Sequence, residues 1–253
     1  MEQAHASESD RVKTRAMLIS SSLSGHGGFL EHAREAIQSN GFGGRRAVFI
    51  PYARVDQDYE YGLKRAANFF SSMNITLESV SDFADKPAAL RDAGLILVGG
   101  GNTFALLEKL YRYDLVHVIK RLVTQGTPYI GWSAGANIAA PTIKTVNSMP
   151  IVEVPSFSSL GIVPFQVNCH YTNEIPPGHT GESRSDRISE FTLLYPSIPV
   201  VALRESEMMM VAGKEISIYG SPCIEVFMGG KSSSCLDPLV LRDLINWPSE
   251  PSF

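Results

Sequence analysis

Cysteine is scarce and unpaired. There are three, Cys169, Cys223 and Cys235, far apart and without a CxxC spacing. Such a set builds neither a disulfide framework nor a zinc knuckle, so reduced thiols and no bound metal are expected. No apolar run is long enough to span a bilayer. Residues 1–15 are polar and charged, with no apolar segment of the kind a secretory signal needs. A cytoplasmic location is expected, and the sequon Asn74-Ile75-Thr76 has no meaning without export. Excess basic charge is missing too. A net charge of −4 leaves no electrostatic footprint for nucleic acid or an anionic membrane, and neither is an expected partner.

What is present is a chain of 253 residues, 44% of them hydrophobic, which suffices for one large core. No linker-like stretch interrupts it. The expected organisation is an N-terminal tail over residues 1–15, one α/β domain over 16–230 and a proline-bearing C-terminal tail over 231–253. Apolar runs alternate with helical patterns: strands at 16–21, 46–52, 75–80, 95–98 and 128–132, and helices near 29–39, 59–73 and 103–124, the last broken near Asp114. The strands are continuous aliphatic runs, as expected where both faces of a parallel sheet are covered. Later strands, at 200–203, 208–212, 216–219 and 224–228, are short and joined by tight turns. They read as antiparallel additions at one edge.

Gly131-Trp132-Ser133-Ala134-Gly135 fits G-x-S-x-G, between a strand and a helix expected over 134–140. That context raises a serine hydroxyl at the carboxyl edge of a sheet, making Ser133 a candidate nucleophile. A serine needs a base. Of six histidines, His5 lies in the tail, His32 and His117 in helices, and His26 and His179 in loops. His170 follows the apolar run 165–167 and is the best candidate, at the same sheet edge as Ser133. Gly99-Gly100-Gly101 follows a strand and opens a helix, a turn able to offer N–H groups to an oxyanion or a phosphate. It is neither G-x-G-x-x-G nor a P-loop, and no cofactor is expected.

Taken in order, Gly99-Gly100-Gly101-Asn102-Thr103-Phe104, Gly131–Asn137, Met149-Pro150-Ile151-Val152, Asn168-Cys169-His170-Tyr171 and Gly178–Arg184 resemble the peptidase E family of aspartyl dipeptidases, over about residues 17–229. The resemblance implies a flavodoxin-like three-layer fold related to class I glutamine amidotransferase domains. It implies cleavage of dipeptides with an N-terminal aspartate, without metal or cofactor. A monomer or homodimer acting on small Asp-X peptides is expected. By position, Ser133 matches the nucleophile, His170 the base and Glu205 the acidic third member. Gly100, Gly101 and Ala134 match the oxyanion region, Asn102 a place beside the substrate, and Arg184 the arginine that binds the substrate aspartate. Arg184 has physical support as well, because a cation in a first helical turn opposes the helix dipole and gains from a bound carboxylate.

Two positions depart from the family pattern. An aspartate found in relatives between the elbow and Met149 is Ser148 here, which directs the third role to Glu205, with Glu207 a poorer match. The residue before the histidine, usually proline, is Cys169. The same elbow could serve a cyanophycinase-like or isoaspartyl hydrolase, and Ser148 could mark a non-catalytic domain that binds acidic ligands.

Overall fold

The computed structural model describes residues 14–236, apart from 26, 176 and 179. The expectations for residues 1–13, His26, His179 and the chain after 236 lie outside these residues. In chain order the strands are β1 (Arg15–Ile19), β2 (Arg46–Ile50), β3 (Thr76–Ser79), β4 (Leu95–Val98), β5 (Tyr129–Trp132) and β6 (Gln166–Asn168), then β7 (Val200–Ala202), β8 (Met208–Ala212), β9 (Glu215–Tyr219), β10 (Ile224–Met228) and β11 (Lys231–Leu236). They form a seven-stranded sheet, β3-β2-β4-β5-β1-β8-β9, and a four-stranded sheet, β11-β10-β7-β6.

In the larger sheet β1 to β5 pair in parallel, while β8 and β9 close one edge antiparallel. Side chains alternate between its faces. Ala16, Leu18, Val48, Ile50, Ile96 and Val98 point into one core; Met17, Ile19, Ala47, Phe49, Leu95 and Leu97 point into the other. The first core is covered by α3 (Lys86–Arg91), α4 (Thr103–Arg112) and α5 (Leu115–Thr124). The second is covered by α1 (Arg34–Ser39) and α2 (Tyr59–Ser71). Both faces are therefore dry, which is why these strands carry no polar alternation. This is the α/β architecture expected from the sequence.

Local chemistry fixes the helix boundaries. Asp58 accepts from the Tyr61 amide at 2.9 Å to start α2, and Asn102 accepts from the Ala105 amide at 3.0 Å to start α4. Asp114, at φ 55, breaks α4 from α5 where the break was expected.

Four expectations need correction. Only β8 and β9 join the edge of the large sheet; the runs at 200–203 and 224–228 belong to the second sheet, with β7 parallel to β6. Their apolar residues are buried against α7 (Arg184–Leu194) and the first core instead. The expected C-terminal tail begins too early, because β11 pairs with β10 from Lys231. The helix after Ser133 is the four-residue α6 (Ala134–Asn137), not a run to residue 140. Finally, Cys223 is disulfide-bonded, whereas Cys169 is a buried free thiol.

Candidate active site

Ser133 links β5 to α6 with φ 52 and ψ −113, a conformation non-glycine residues rarely adopt. It is held from both sides: its amide donates to the Ile19 carbonyl at 2.9 Å, and its carbonyl accepts from Asn137 at 2.9 Å. The turn is possible because Gly135 packs onto β4, where a Cβ would lie 2.2 Å from the Val98 carbonyl oxygen. Strain and close approach together lift the Ser133 side chain clear of the backbone.

His170 comes from the other sheet, two residues beyond β6, and not from the large sheet's edge as expected. It too has positive φ, 57. Ser20, just after β1, stitches the sheets together here. Its hydroxyl accepts from the His170 amide at 2.9 Å and donates to the Leu203 carbonyl at 2.9 Å. The imidazole thus arrives with Nε2 2.7 Å from Ser133 Oγ. On its far side Nδ1 lies 2.9 Å from Glu205 Oε1.

Partial burial pushes the Glu205 carboxyl up, but hydrogen bonds from His170 and Ser21 and the charges of His170 and Arg184 outweigh it. The net result holds this carboxyl below its ordinary 4.5. An ionised Glu205 makes Nδ1 the donor, which leaves Nε2 to accept the serine proton. Glu207, the poorer match, is 2% exposed and faces elsewhere: its Oε2 accepts from the Arg204 amide at 2.8 Å.

A cleft of about 140 Å³ is lined by Ser133 and His170 and by Gly99, Gly100 and Gly101. Gly101 requires its glycine: φ is 142, and a Cβ would lie 2.2 Å from the Ala53 carbonyl oxygen. On either side, Gly99 donates to Ile50 and Asn102 to Ala53. The Gly100 and Gly101 amides donate to no described residue. Two free N–H groups beside a serine–imidazole pair can stabilise a developing oxyanion, and Ala134, first in α6, has an amide without an intrahelical acceptor. The arrangement is chemically equipped for acyl transfer.

The family model for peptidase family S51 matches residues 16–219. The chain belongs to peptidase family S51. It is 44% identical over 223 residues to peptidase E of Shewanella amazonensis, covering 88% of this chain and 95% of that protein. Peptidase E of Shewanella sp. strain MR-4 is 43% identical over 218 residues, covering 86% and 92%. The crystal structure of a peptidase from an acI-B1 actinobacterium shares the fold at TM-score 0.63 and 18% identity, covering 88% of this chain and 98% of that one.

Other positions of this S51 chain divide. Arg184 opens α7, behind a Ser183–Asp186 capping box, and its charge acts on Glu205. Its Nη1 is buried with no hydrogen-bond partner among the described residues. Asn102, expected beside the substrate, follows Gly101 of the cleft; its Oδ1 caps α4 and its Nδ2 donates to the Met149 carbonyl at 2.8 Å. The imidazole nitrogens bond to Ser133 and Glu205, not to Ser148. Its hydroxyl lies 3.0 Å from Thr103 Oγ1 and accepts from the Thr103 amide. Burial pushes the Cys169 thiol far up, so it is a protonated packing group, not a reactive one.

Sequence reading missed Ser20 and Ser21, which orient the base and the acid, and Arg54 and Arg65, which line the cleft. It also took His32 for an ordinary helical residue. Both its ring nitrogens are buried without a partner among the described residues, and burial lowers its proton affinity despite the nearby Glu205. No local pattern marks any of these, because each becomes relevant only through a contact made by the fold.

Proposed function

We propose that this S51 peptidase is a serine dipeptidase that hydrolyses dipeptides with an N-terminal aspartate. The observation that carries the reading is the continuous relay Ser133 Oγ–His170 Nε2, 2.7 Å, and His170 Nδ1–Glu205 Oε1, 2.9 Å, beside the free Gly100 and Gly101 amides. In this reading Ser133 attacks the carbonyl of the aspartyl residue while His170 takes its proton. Glu205 fixes the imidazole tautomer and stabilises its charged form. The amides of Gly100, Gly101 and Ala134 hold the oxyanion, each donor worth about 3–4 kcal/mol. His170 then protonates the leaving amine, and water enters by the same route to release aspartate from the acyl-enzyme.

Specificity is assigned to Arg184. Its buried, unpaired Nη1 supports the role, since a buried cationic N–H without an acceptor is costly until a carboxylate arrives. The test is hydrolysis of Asp-Leu, Asn-Leu, Glu-Leu and β-Asp-Leu, with and without chelator. Asp-Leu alone should turn over rapidly, and chelator should have no effect. Preference for β-Asp-Leu would instead make it an isoaspartyl hydrolase. The disulfide at Cys223 weakens the thiol argument for a cytoplasmic location.

A further inference from the structure

We propose that Arg65 binds the free C-terminal carboxylate of the substrate, and so restricts the enzyme to dipeptides. The proposal deepens the dipeptidase reading and rests on it. The cleft is lined by Ser133, His170 and Gly100 and also by Trp132, Arg54 and Arg65. The two arginines are not equivalent. Arg54 is neutralised by Asp56, through Nε to Oδ1 at 3.1 Å and a second contact to Oδ2. Arg65 forms no ion pair or hydrogen bond with any described residue. Its guanidinium carbon lies over Phe29, 4.6 Å from the ring centroid, and Phe29 packs edge-on against Trp132 at 5.6 Å. The ring contact anchors the cation without using its N–H donors, which stay available to a carboxylate, and arginine can take one through two bonds.

The substrate chemistry supplies the matching group. An Asp-X dipeptide carries a carboxylate on each side of the bond that breaks: the aspartate side chain on the acyl side and the chain terminus on the leaving side. A carboxylate brought against an aromatic wall needs a countercharge. Arg184 bears electrostatically on Glu205, and Arg65 lines the cleft, so in this assignment each carboxylate has its own cation. The cleft, about 140 Å³, is well below the roughly 300–1,000 Å³ of drug-sized sites, which suits a two-residue substrate. A longer peptide would put a neutral amide where Arg65 requires charge.

The experiment is steady-state kinetics of wild type, Arg65→Gln and Arg65→Lys on Asp-Leu and on Asp-Leu amide, with melting temperatures as a check on folding. The wild type should favour the free acid, chiefly through KM. Arg65→Gln should raise KM for Asp-Leu roughly 10- to 100-fold with kcat little changed, and should leave KM for the amide within about two-fold. Arg65→Lys should recover part of the loss. An equal rise on both compounds would overturn the assignment, since Arg65 would then read the aspartate side chain or merely hold the wall. No change on either would overturn it too. If Arg65→Gln does not fold, the wild type decides, because equal use of acid and amide is incompatible with the proposal. Hydrolysis of neither compound by wild type would remove the dipeptidase reading itself, and the Arg65 role with it.

Discussion

Ser133 and His170 both occupy positive-φ conformations, at 52 and 57. Such residues cost about 1–3 kcal/mol each and persist where the surroundings hold them. Here the strain brings a hydroxyl and an imidazole to 2.7 Å. Ser133→Ala keeps the backbone and removes only the reacting atom. It should lower kcat for Asp-Leu at least about 10⁴-fold with an unchanged melting temperature. Glu205→Gln should cost roughly 10²- to 10⁴-fold in kcat, the lower end being favoured because the side chain is 59% exposed. Its effect on stability has a definite sign. The folded carboxyl is held below 4.5, so its small contribution is present above pH 4.5 and fades as pH falls below that. Melting curves of wild type and Glu205→Gln should therefore converge on acidification. At Cys169 the expected result is inertness: iodoacetamide at pH 8 should leave the native protein active, and rapid inactivation through this thiol would contradict its burial.

At the scale of elements, much of the large sheet was legible. The runs at 95–98 and 128–132 emerge as β4 and β5 within a residue, because a doubly covered strand must be aliphatic throughout. The helix α3 was not legible: six residues with Pro87 near the start carry too little periodicity to stand out. Nor was the role of Ser20, which is one polar residue after a strand until Leu203 and His170 arrive beside it. Ser20→Ala removes both bonds. It should destabilise by about 1–2 kcal/mol, readable by urea unfolding, and lower kcat by loosening the histidine rather than by raising KM.

At the scale of the whole molecule, two sheets share a core and meet at Ser20, Ser133 and His170, and a charge network with buried carboxylates lies at their junction. Arg204 reaches Glu225 of β10 at 2.9 Å and Glu207, next to β8, at 3.6 Å. Tyr171 donates to Glu225 at 3.0 Å. The loop carrying Glu205 lies between these anchors. Arg204→Met would leave two carboxylates, 2% and 3% exposed, without their cation. Because Arg204 is itself 43% exposed, solvent discounts the usual loss for a buried pair, and about 1–3 kcal/mol is expected by denaturant titration.

The sequence by itself determined the alternation of buried strands and helices, the strained elbow and the glycines that permit it, since these depend on short-range patterning and on steric limits within a few residues. It also carried, through ordered motifs, the resemblance to a peptidase family. Only the tertiary structure decided that His170 reaches Ser133 from a second sheet, that Glu205 rather than Glu207 lies against the imidazole, and that Ser148 and Asn102 bond to α4 and Met149. The reason is physical: a hydrogen bond between residues far apart in the chain leaves no periodic trace in either segment, and its existence depends on how the layers pack.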